Sequence, residues 1–327
     1  MLLAILLLSL NYGQMKAVNA IIDIGDYRFR YVQEVEIEST WELLTDGGSI
    51  TIPRKLSFRG KSIAQGASLF KKGDPVKIQM GYDEVYDTVF TGYLSGIKPK
   101  LNLEFKIQDA MWLLKQKAVT QSYKKVTLSQ LLTDISPIPF EAVDVNLGQF
   151  RISKATVAQV LEELRKAYGL YSWVRDGTLF AGLAYRAVGR QSVVFRFEHN
   201  IIEDELEYLR GDDVGIKVKA ISMLPDNKKI EIEVGDTEGD QRTLHFYNLS
   251  EKELKATAER EIERLKYEGY RGSFLSFGQP HVRHGDIAII QDNKFPDKAG
   301  SYLIKKVTYS IGVNGYRQQI YLDKKVS

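Results

Sequence analysis

Cysteine is absent from the 327 residues, and histidine is scarce, with four in all. Without cysteine the chain can form neither disulfides nor thiolate metal sites, and its redox compartment cannot be inferred. Four histidines leave little material for a metal centre. An excess of one charge is also lacking, because 45 basic and 42 acidic residues give a net charge of +3. The composition therefore does not indicate the concentrated basic face of a duplex-binding protein.

Long apolar runs are nearly absent as well, and Leu2–Leu10 is too short to span a bilayer as a helix. No lysine or arginine precedes this run, although Val18-Asn19-Ala20 could serve as a small-residue cleavage site. Three interpretations stay open: a signal peptide, a buried first strand, or an over-extended start with Met15 as the initiator. Residues 1–26 are assigned as an N-terminal segment of open status, and no membrane anchoring is expected.

Short strands dominate what is present, with 18 tyrosines and 14 phenylalanines as further β-favouring residues. Apolar and polar residues alternate in 31–39, 75–80 and 101–107, with turns between them. Short strands at such spacing predict a small barrel or sandwich. We therefore predict a mainly β fold whose first β-barrel domain covers residues 27–114.

Helical patterns then begin, and Asp109 is predicted to cap a short helix over 109–115. Thr127 and Thr156 precede two amphipathic segments, the second of which is predicted to end at Gly169. Asp176-Gly177 lies between two apolar-aromatic runs and predicts a β-hairpin. Residues 115–190 are accordingly predicted to form a small α+β insert.

Strand patterns return from Ser192 onward and define a predicted second β-barrel domain over residues 191–327. Ser250 and Glu253 form a capping box, which predicts a long helix over 250–268 with Gly269 as its terminator. The predicted architecture is thus two β-barrel domains that flank a mixed middle domain.

The two strand-rich regions resemble each other in three places. Residues 73–79 (GDPVKIQ) resemble 285–291 (GDIAIIQ), residues 91–94 resemble 300–304, and residues 103–109 resemble 317–323. The offset is 212 at the first match (286 − 74) and 214 at the last (323 − 109). Matches in the same order at a nearly constant offset indicate a duplicated unit. Each repeat begins with a Gly-Asp turn: Gly73 and Asp74 in the first, Gly285 and Asp286 in the second.

Motifs that carry chemistry are incomplete wherever they occur. Gly60-Lys61-Ser62 lacks the upstream glycine of a phosphate loop, because Lys55 occupies that position. The acidic turn 236–240 lacks the glycine and twelfth-position glutamate of a calcium loop. His281 and His284 have no third ligand nearby, so we expect no catalytic, cofactor or metal residues. The only positions singled out are the four turn residues of the repeat.

The order of these motifs resembles the phage late control protein D family, the hub proteins of contractile tail baseplates. The resemblance rests on 72–82 (KGDPVKIQMGY), 89–97 (VFTGYLSGI) and 105–109 (FKIQD), and on 278–280 (GQP) with 285–289 (GDIAI). The middle region fits through 127–132 (TLSQLL) and 160–164 (VLEEL). The leucine-rich start departs from the pattern.

This resemblance implies a structural protein of the virion tail without cofactors and without enzymatic activity. It implies a homotrimer whose six similar barrels adapt a hexameric tail tube to a trimeric spike. The implied partners are the tail tube protein, the spike protein and the tape-measure protein, with DNA only as passing cargo. Assembly is expected in the cytoplasm of a bacterial host.

Three alternatives stay open. One is the hub module of a type VI or related contractile injection system. The second is a β-rich enzyme such as a cell-wall hydrolase, which a pocket holding two close carboxylates would support. The third is a secreted surface-binding protein with two β domains, which a cleaved N-terminal signal would favour.

Overall fold

The structure is a computed structural model that describes residues 17–53, 57–58, 61–62, 69–99, 102–182, 190–224, 226 and 228–326. Leu2–Leu10, Met15 and Gly60, to which parts of the sequence interpretation refer, lie outside these ranges. The fold is mainly β, as the strand patterns predict.

The first strand-rich region ends in a single helical turn. Its strands are β1 Val18–Ile24, β2 Tyr27–Phe29, β3 Glu34–Thr40, β4 Gly47–Ile52, β5 Ser57–Phe58, β6 Lys61–Ser62, β7 Pro75–Tyr82, β8 Val85–Pro99 and β9 Leu103–Gln108, and the helix is α1 Met111–Leu114.

The insert alternates strands with two longer helices. Its elements are β10 Ala118–Thr127, α2 Leu128–Ile135, β11 Phe140–Ala142, β12 Asn146–Thr156, α3 Val157–Tyr168, β13 Tyr171–Arg175 and β14 Thr178–Gly182.

The second strand-rich region carries one long helix. Its elements are β15 Ser192–Arg196, β16 Ile201–Leu209, β17 Ile216–Met223, β18 Lys229–Gly235, β19 Asp240–Tyr247, α4 Glu251–Leu265, β20 Gly269–Phe277, β21 Ile287–Gln291, β22 Gly300–Gly312 and β23 Gly315–Lys325, with 3-10 turns at Gly211–Asp213 and Pro296–Lys298.

Both strand-rich regions belong to one sheet. Its order is β16-β20-β23-β22-β3-β4-β9-β8-β7-β1-β2, and β21 and β15 join it beside β22. One continuous hydrophobic core lies against this sheet and includes Ile37 and Phe105 from the first region and Phe274 and Val307 from the second. Closure of either region into a barrel stays a prediction, as do the domain boundaries.

The two regions repeat one strand order. β3-β4-β9-β8-β7 are neighbours in the first region, and β16-β20-β23-β22-β21 are neighbours in the same arrangement in the second. Every adjacent pair in both series is antiparallel. Equal order and equal direction across five strands are what a duplicated unit produces.

The strand registers coincide as well. Pro75 pairs with Tyr93 in the first repeat, and Ile287 pairs with Leu303 in the second. Each of β8 and β22 then carries an irregularity, between Leu94 and Gly96 and between Ile304 and Lys306. Beyond it, Gly96 faces Lys106 just as Lys306 faces Tyr321. Lys106 therefore corresponds to Tyr321.

This register corrects the third sequence match by one residue. Because Lys106 corresponds to Tyr321, Asp109 corresponds to Lys324 and not to Asp323. The difference in residue number between corresponding positions is 212 at the Gly-Asp turns. It falls to 210 for Leu94 and Ile304, and it rises to 215 in the last strand. The hairpin β22–β23 is thus longer than β8–β9 by five residues, whereas the hairpin before it is shorter by two.

The helix signals of the insert are confirmed. Thr127 and Thr156 each cap the following helix in a reciprocal capping box with a glutamine three residues on. Gly169 ends α3 in the left-handed conformation, at φ 63°. The Asp176-Gly177 turn joins β13 to β14 with positive φ at both residues, as a tight hairpin turn requires.

Two predicted helix boundaries are wrong. Gly269 does not end α4, because the helix stops at Leu265 and Gly269 opens strand β20. Asp109 is not the N-cap residue of α1, which is Ala110, although its carboxylate accepts the Met111 N–H at 3.0 Å. The predicted capping box is present at the start of α4, where the Ser250 N–H donates to Glu253 at 2.9 Å.

Residues 214–265 form a small unit of their own within the second region. Strand β17 lies between antiparallel β18 and parallel β19, and α4 covers this sheet with Leu254, Ala258 and Ile262. The unit follows β16 and precedes β20, at the place where residues 41–46 join β3 to β4 in the first repeat.

Candidate functional site at the junction of the repeats and the insert

The two Gly-Asp turns have the same hydrogen bonds. The Gly73 N–H donates to the Leu94 carbonyl at 2.8 Å, and the Leu94 N–H donates to the Asp74 carbonyl at 2.9 Å. In the second repeat the Gly285 N–H donates to Ile304 at 2.7 Å, and the Ile304 N–H donates to Asp286 at 2.9 Å. Gly73 and Gly285 adopt φ of 93° and 86°, a region that disfavours residues with a Cβ.

The aspartates of the two turns also act alike. The Asp74 carboxylate accepts the Lys71 N–H at 2.8 Å, and the Asp286 carboxylate accepts the Arg283 N–H at 2.9 Å. Each carboxylate thus closes its turn three residues upstream, as aspartate commonly does in turns. The predicted turn positions therefore have matching roles in the local backbone, and none of them carries a reactive arrangement.

The second turn is where the insert contacts the repeats. The Arg175 guanidinium, at the end of β13, donates to the His284 carbonyl at 2.5 Å. The Asp176 carboxylate forms an ion pair with the Arg283 guanidinium at 3.1 Å, and the Asp176 side chain is largely exposed. Gln191 donates from its side chain to Asp286 at 3.0 Å. The hairpin of the insert is therefore held against the second repeat by the polar contacts of Arg175 and Asp176.

Two carboxylates of the first repeat lie at the same junction. Asp46 accepts the Thr40 N–H at 2.9 Å and the Ser39 hydroxyl at 2.5 Å. Asp109 accepts the Asp46 N–H at 3.1 Å as well as the Met111 N–H. The Asp46 carboxylate thus closes the β3–β4 connection onto the end of β3, and the Asp109 carboxylate ties this connection to the end of β9.

Burial perturbs both of these carboxyls. Loss of water around the carboxyl group raises the pKa of Asp46 to about 7, against the opposing effect of its Ser39 and Thr40 hydrogen bonds. Burial also raises the pKa of Asp109 well above its usual value, and the neighbouring Asp46 charge adds to the rise. The Asp46 charge therefore disfavours ionisation of Asp109, so the two carboxyl groups titrate as a coupled pair.

The histidines near the second turn are buried in the case of His284 and half-buried in the case of His281. Burial lowers the pKa of His284 to about 3, with nearby Arg175 as a further cause, and it lowers the pKa of His281 to about 4. The His284 ring lies 5.9 Å from that of Trp41 and 6.3 Å from that of Trp173, nearly perpendicular to both. In the described residues no group of three histidine, aspartate or glutamate side chains could hold a metal ion.

A cavity of about 410 Å³ opens among these residues and is lined by Asp46, Asp109, Arg175 and His284, among others. A pocket with two close carboxylates is the feature named above as support for a hydrolase. Here, however, both oxygens of Asp109 and one oxygen of Asp46 accept backbone N–H groups, and the other Asp46 oxygen accepts the Ser39 hydroxyl, which is a structural use of their lone pairs. The cavity lies where residues of both repeats and of the insert meet.

The sequence did not predict the contacts of Asp46 and Arg175, or that Asp109 accepts the Asp46 N–H, because these residues meet only in the folded chain. It also missed the start of the repeat. Residues 34–38 (EVEIE) and 203–207 (EDELE) occupy corresponding positions in β3 and β16 and share three glutamates. That shared alternation was a signal in the sequence itself.

Comparison with solved structures places the fold. Over 95% of this chain and 97% of the other, it superposes on the tail protein from Neisseria meningitidis MC58 with a TM-score of 0.63 at 16% identity. The fold is that of phage tail proteins. The 43 kDa tail protein of prophage MuSo2 from Shewanella oneidensis gives the same TM-score of 0.63 at 15% identity, over 94% of this chain and 97% of that one.

A type VI secretion component shares this tail-protein fold. The E. coli c3393 protein, described as similar in structure to the T4 tail proteins gp27 and gp5, has a TM-score of 0.52 at 10% identity. The match covers 96% of this chain and 75% of that one. No protein-family model and no curated protein sequence matches the chain. The predicted resemblance to tail hub proteins is confirmed as a resemblance of fold.

Among the described residues, none of the helices combines the length and the apolar character needed to cross a membrane.

Proposed function

We propose that this chain is a structural baseplate hub protein of a phage or prophage tail. Three copies form a ring that adapts a hexameric tail tube to a trimeric spike. The tail-protein fold supports a place in the virion tail, although fold by itself does not define function.

The observation that carries the proposal is the internal repeat. Two five-strand units with equal order, equal register and equal turn hydrogen bonds lie side by side in one sheet. Three chains therefore offer six similar units, which match a sixfold partner, while the ring keeps true threefold symmetry for the spike. Rings of this kind close through heterologous interfaces.

The partners follow from this position in the tail. The tail tube protein would contact the sixfold side and the spike protein the threefold side. The tape-measure protein and then DNA would pass through the channel without being bound. We propose no enzymatic activity and no cofactor, because the carboxylates of the junction cavity are engaged by the backbone.

Native mass spectrometry tests the proposal directly. The expected species is a trimer of about 112 kDa, three times the 37.2 kDa of one chain, and co-expression with the spike protein is expected to give a complex with three copies of each. A chain that stays monomeric at 100 µM, roughly the upper end of weak specific association, and that does not bind the spike would rule out the hub function.

A second candidate is the hub module of a type VI or related injection system, which the likeness to the E. coli c3393 protein favours. Binding assays with purified tube proteins of a contractile phage tail and of a type VI system separate the two. Selective binding to the type VI tube protein would favour the second candidate.

The hydrolase alternative has its own test. Incubation with purified peptidoglycan, for the wild-type chain and for Asp46→Asn, is expected to release no soluble fragments from either. Release by the wild-type chain that is lost in the variant would contradict a purely structural role.

A further inference from the structure

The two repeats of one chain are joined by a direct strand pairing. β3 of the first repeat pairs antiparallel with β22 of the second, from Lys306 opposite Thr40 to Ile311 opposite Val35. The Lys306 ammonium also forms an ion pair with Glu38 across this junction. The chain therefore contains one complete example of how a first-repeat unit and a second-repeat unit contact each other.

Strand β16 is the second-repeat counterpart of β3. Glu36 pairs with Ser49 on β4, and Glu205 pairs with Ser273 on β20, where Ser49 and Ser273 face the corresponding residues Lys106 and Tyr321. By this register Glu38 corresponds to Glu207.

The close approach of the neighbouring strand is repeated too. A Cβ on Gly48 would lie 2.0 Å from the Glu36 carbonyl oxygen, and a Cβ on Gly272 would lie 2.2 Å from that of Glu205. The backbone of β16 therefore sits on β20 as the backbone of β3 sits on β4.

β16 nevertheless lacks the neighbour that β3 has. It stands at one end of the sheet order and pairs only with β20 among the described strands. Its glutamates Glu203, Glu205 and Glu207 are exposed, whereas Leu206 and Tyr208, on the opposite face of the strand, pack against the core. An edge strand of nine residues whose second edge pairs with none of the described strands is a template for another strand.

The matching unpaired edge lies on β8. Gly96 corresponds to Lys306 and Lys98 to Thr308, by the register of the hairpins. β7 covers β8 only as far as Tyr93, and beyond it the described strands pair with β8 only through β9, on the other side. In the second repeat, β3 occupies this edge.

We propose that β16 of one copy pairs antiparallel with β8 of a second copy, in the register of the internal β3–β22 junction. The inference rests on the proposed ring and names its contact. Leu209 would lie opposite Gly96, Tyr208 opposite Ile97, and Glu207 opposite Lys98. Each unit in the ring then meets its neighbour in one way, whether the neighbour belongs to the same chain or to the next.

The side chains at this contact suit the pairing. Glu207 and Lys98 are exposed and opposite in charge, and directly facing positions on paired strands favour such pairs. In the free chain Lys98 reaches Glu104 only at 3.6 Å. Pro99, which corresponds to Tyr309, has no N–H to donate, so the contact between copies has one potential donor fewer than the internal junction. The occupant is a second copy because only the repeat supplies this register.

Cysteine cross-linking tests the register, since the natural chain contains no cysteine. The variant Lys98→Cys/Glu207→Cys is expected to form disulfides between copies under mild oxidation, giving covalent dimers and trimers but no larger species. Facing residues on paired strands lie within the Cα separation that a disulfide spans. The internal pair Glu38→Cys/Thr308→Cys is the matched control and is expected to cross-link within one chain, because these residues already face each other.

The pair Lys98→Cys/Glu203→Cys moves one thiol four residues along β16, and is expected to cross-link at least about fivefold less, because its separation exceeds disulfide reach. A wild-type trimer with no Lys98–Glu207 cross-link, while the internal control reacts, would overturn this contact and leave the hub function standing. A monomeric wild-type chain that also yields no cross-link would overturn both. Cross-linked dimers from an otherwise monomeric chain would support the contact and overturn the trimeric ring.

Discussion

Replacing Asp46 by asparagine removes a charge from the junction without removing its hydrogen bonds. The asparagine carbonyl can still accept the Thr40 N–H, and its amide can donate to the Ser39 hydroxyl, which now reverses its role. The substitution is nearly isosteric. It therefore isolates the cost of ionising a partly buried carboxyl.

The sign of the effect follows from the direction of the shift. The pKa of Asp46 is about 7 in the folded chain and about 3.9 in an unfolded one. Between these values the folded state binds more protons, so Asp46 lowers stability progressively as pH rises from 4 to 7 and by a constant amount above 7. This difference in pKa corresponds to roughly 4 kcal/mol as an upper bound, and we expect about 2 to 3 kcal/mol for Asp46 alone because its titration is coupled to that of Asp109.

Urea unfolding of wild-type and Asp46→Asn chains at pH 4.5, 6 and 8 measures the difference. The variant is expected to have nearly the wild-type free energy of unfolding at pH 4.5, and to exceed it by about 2 kcal/mol at pH 8. Asp297→Asn, at an exposed site, is the control and is expected to change little at any pH. A variant that is less stable than wild type at pH 8, or a difference independent of pH, would refute the reasoning.

Four further substitutions probe the repeat and its surroundings. Gly73→Ala is expected to cost about 2 to 4 kcal/mol in unfolding free energy, because φ is 93° and the new Cβ would lie 2.9 Å from the Trp112 ring. Gly285→Ala should cost about 1 to 2 kcal/mol, because φ is 86° but the new Cβ would approach only the Arg175 guanidinium, at 3.5 Å. Equal costs in thermal or urea unfolding would contradict this difference. Gln318→Leu should cost about 2 to 4 kcal/mol, because the fully buried amide binds the Val282 N–H and the carbonyls of Phe277 and Pro280; a loss below about 1 kcal/mol would show that water replaces it. The pKa of His284 is lowered to about 3, so the unfolded state binds more protons than the folded state between pH 3 and 6.5. The wild-type free energy of unfolding should therefore contain a contribution that is lost as pH falls from 6.5 to 3. His284→Gln should flatten this pH dependence of the free energy of unfolding, and an unchanged pH dependence would argue against a neutral buried ring.

Local signals in the sequence predicted local structure well. The caps at Thr127 and Thr156 and the Asp176-Gly177 turn each depend on residues at most three positions apart, so the pattern contains the whole interaction. Gly269 failed as a helix terminator because Leu265 is the last residue whose side chain packs on the small sheet, and the chain beyond it is drawn into β20.

Register and the junction could not be predicted in this way. The one-residue error in the third match arises because the alignment of β9 with β23 is defined by their pairing partners on β8 and β22, which residue similarity alone does not reveal. Asp46 and Asp109 are 63 positions apart and meet only after β4 pairs with β9. The separate sheet of residues 214–265 could not be predicted either, because β17 pairs in parallel with β19 although β18 lies between them in the sequence.

The small unit over residues 214–265 interrupts only one of the two repeats, and the first repeat has a six-residue connection, 41–46, at the same place. Around the proposed ring, bulky and compact units would therefore alternate, so that every second position carries a projection. The ring would then be sixfold in its strand framework but only threefold where these units project. A partner that binds these projecting units would find three equivalent binding sites, even though the strand framework repeats six times.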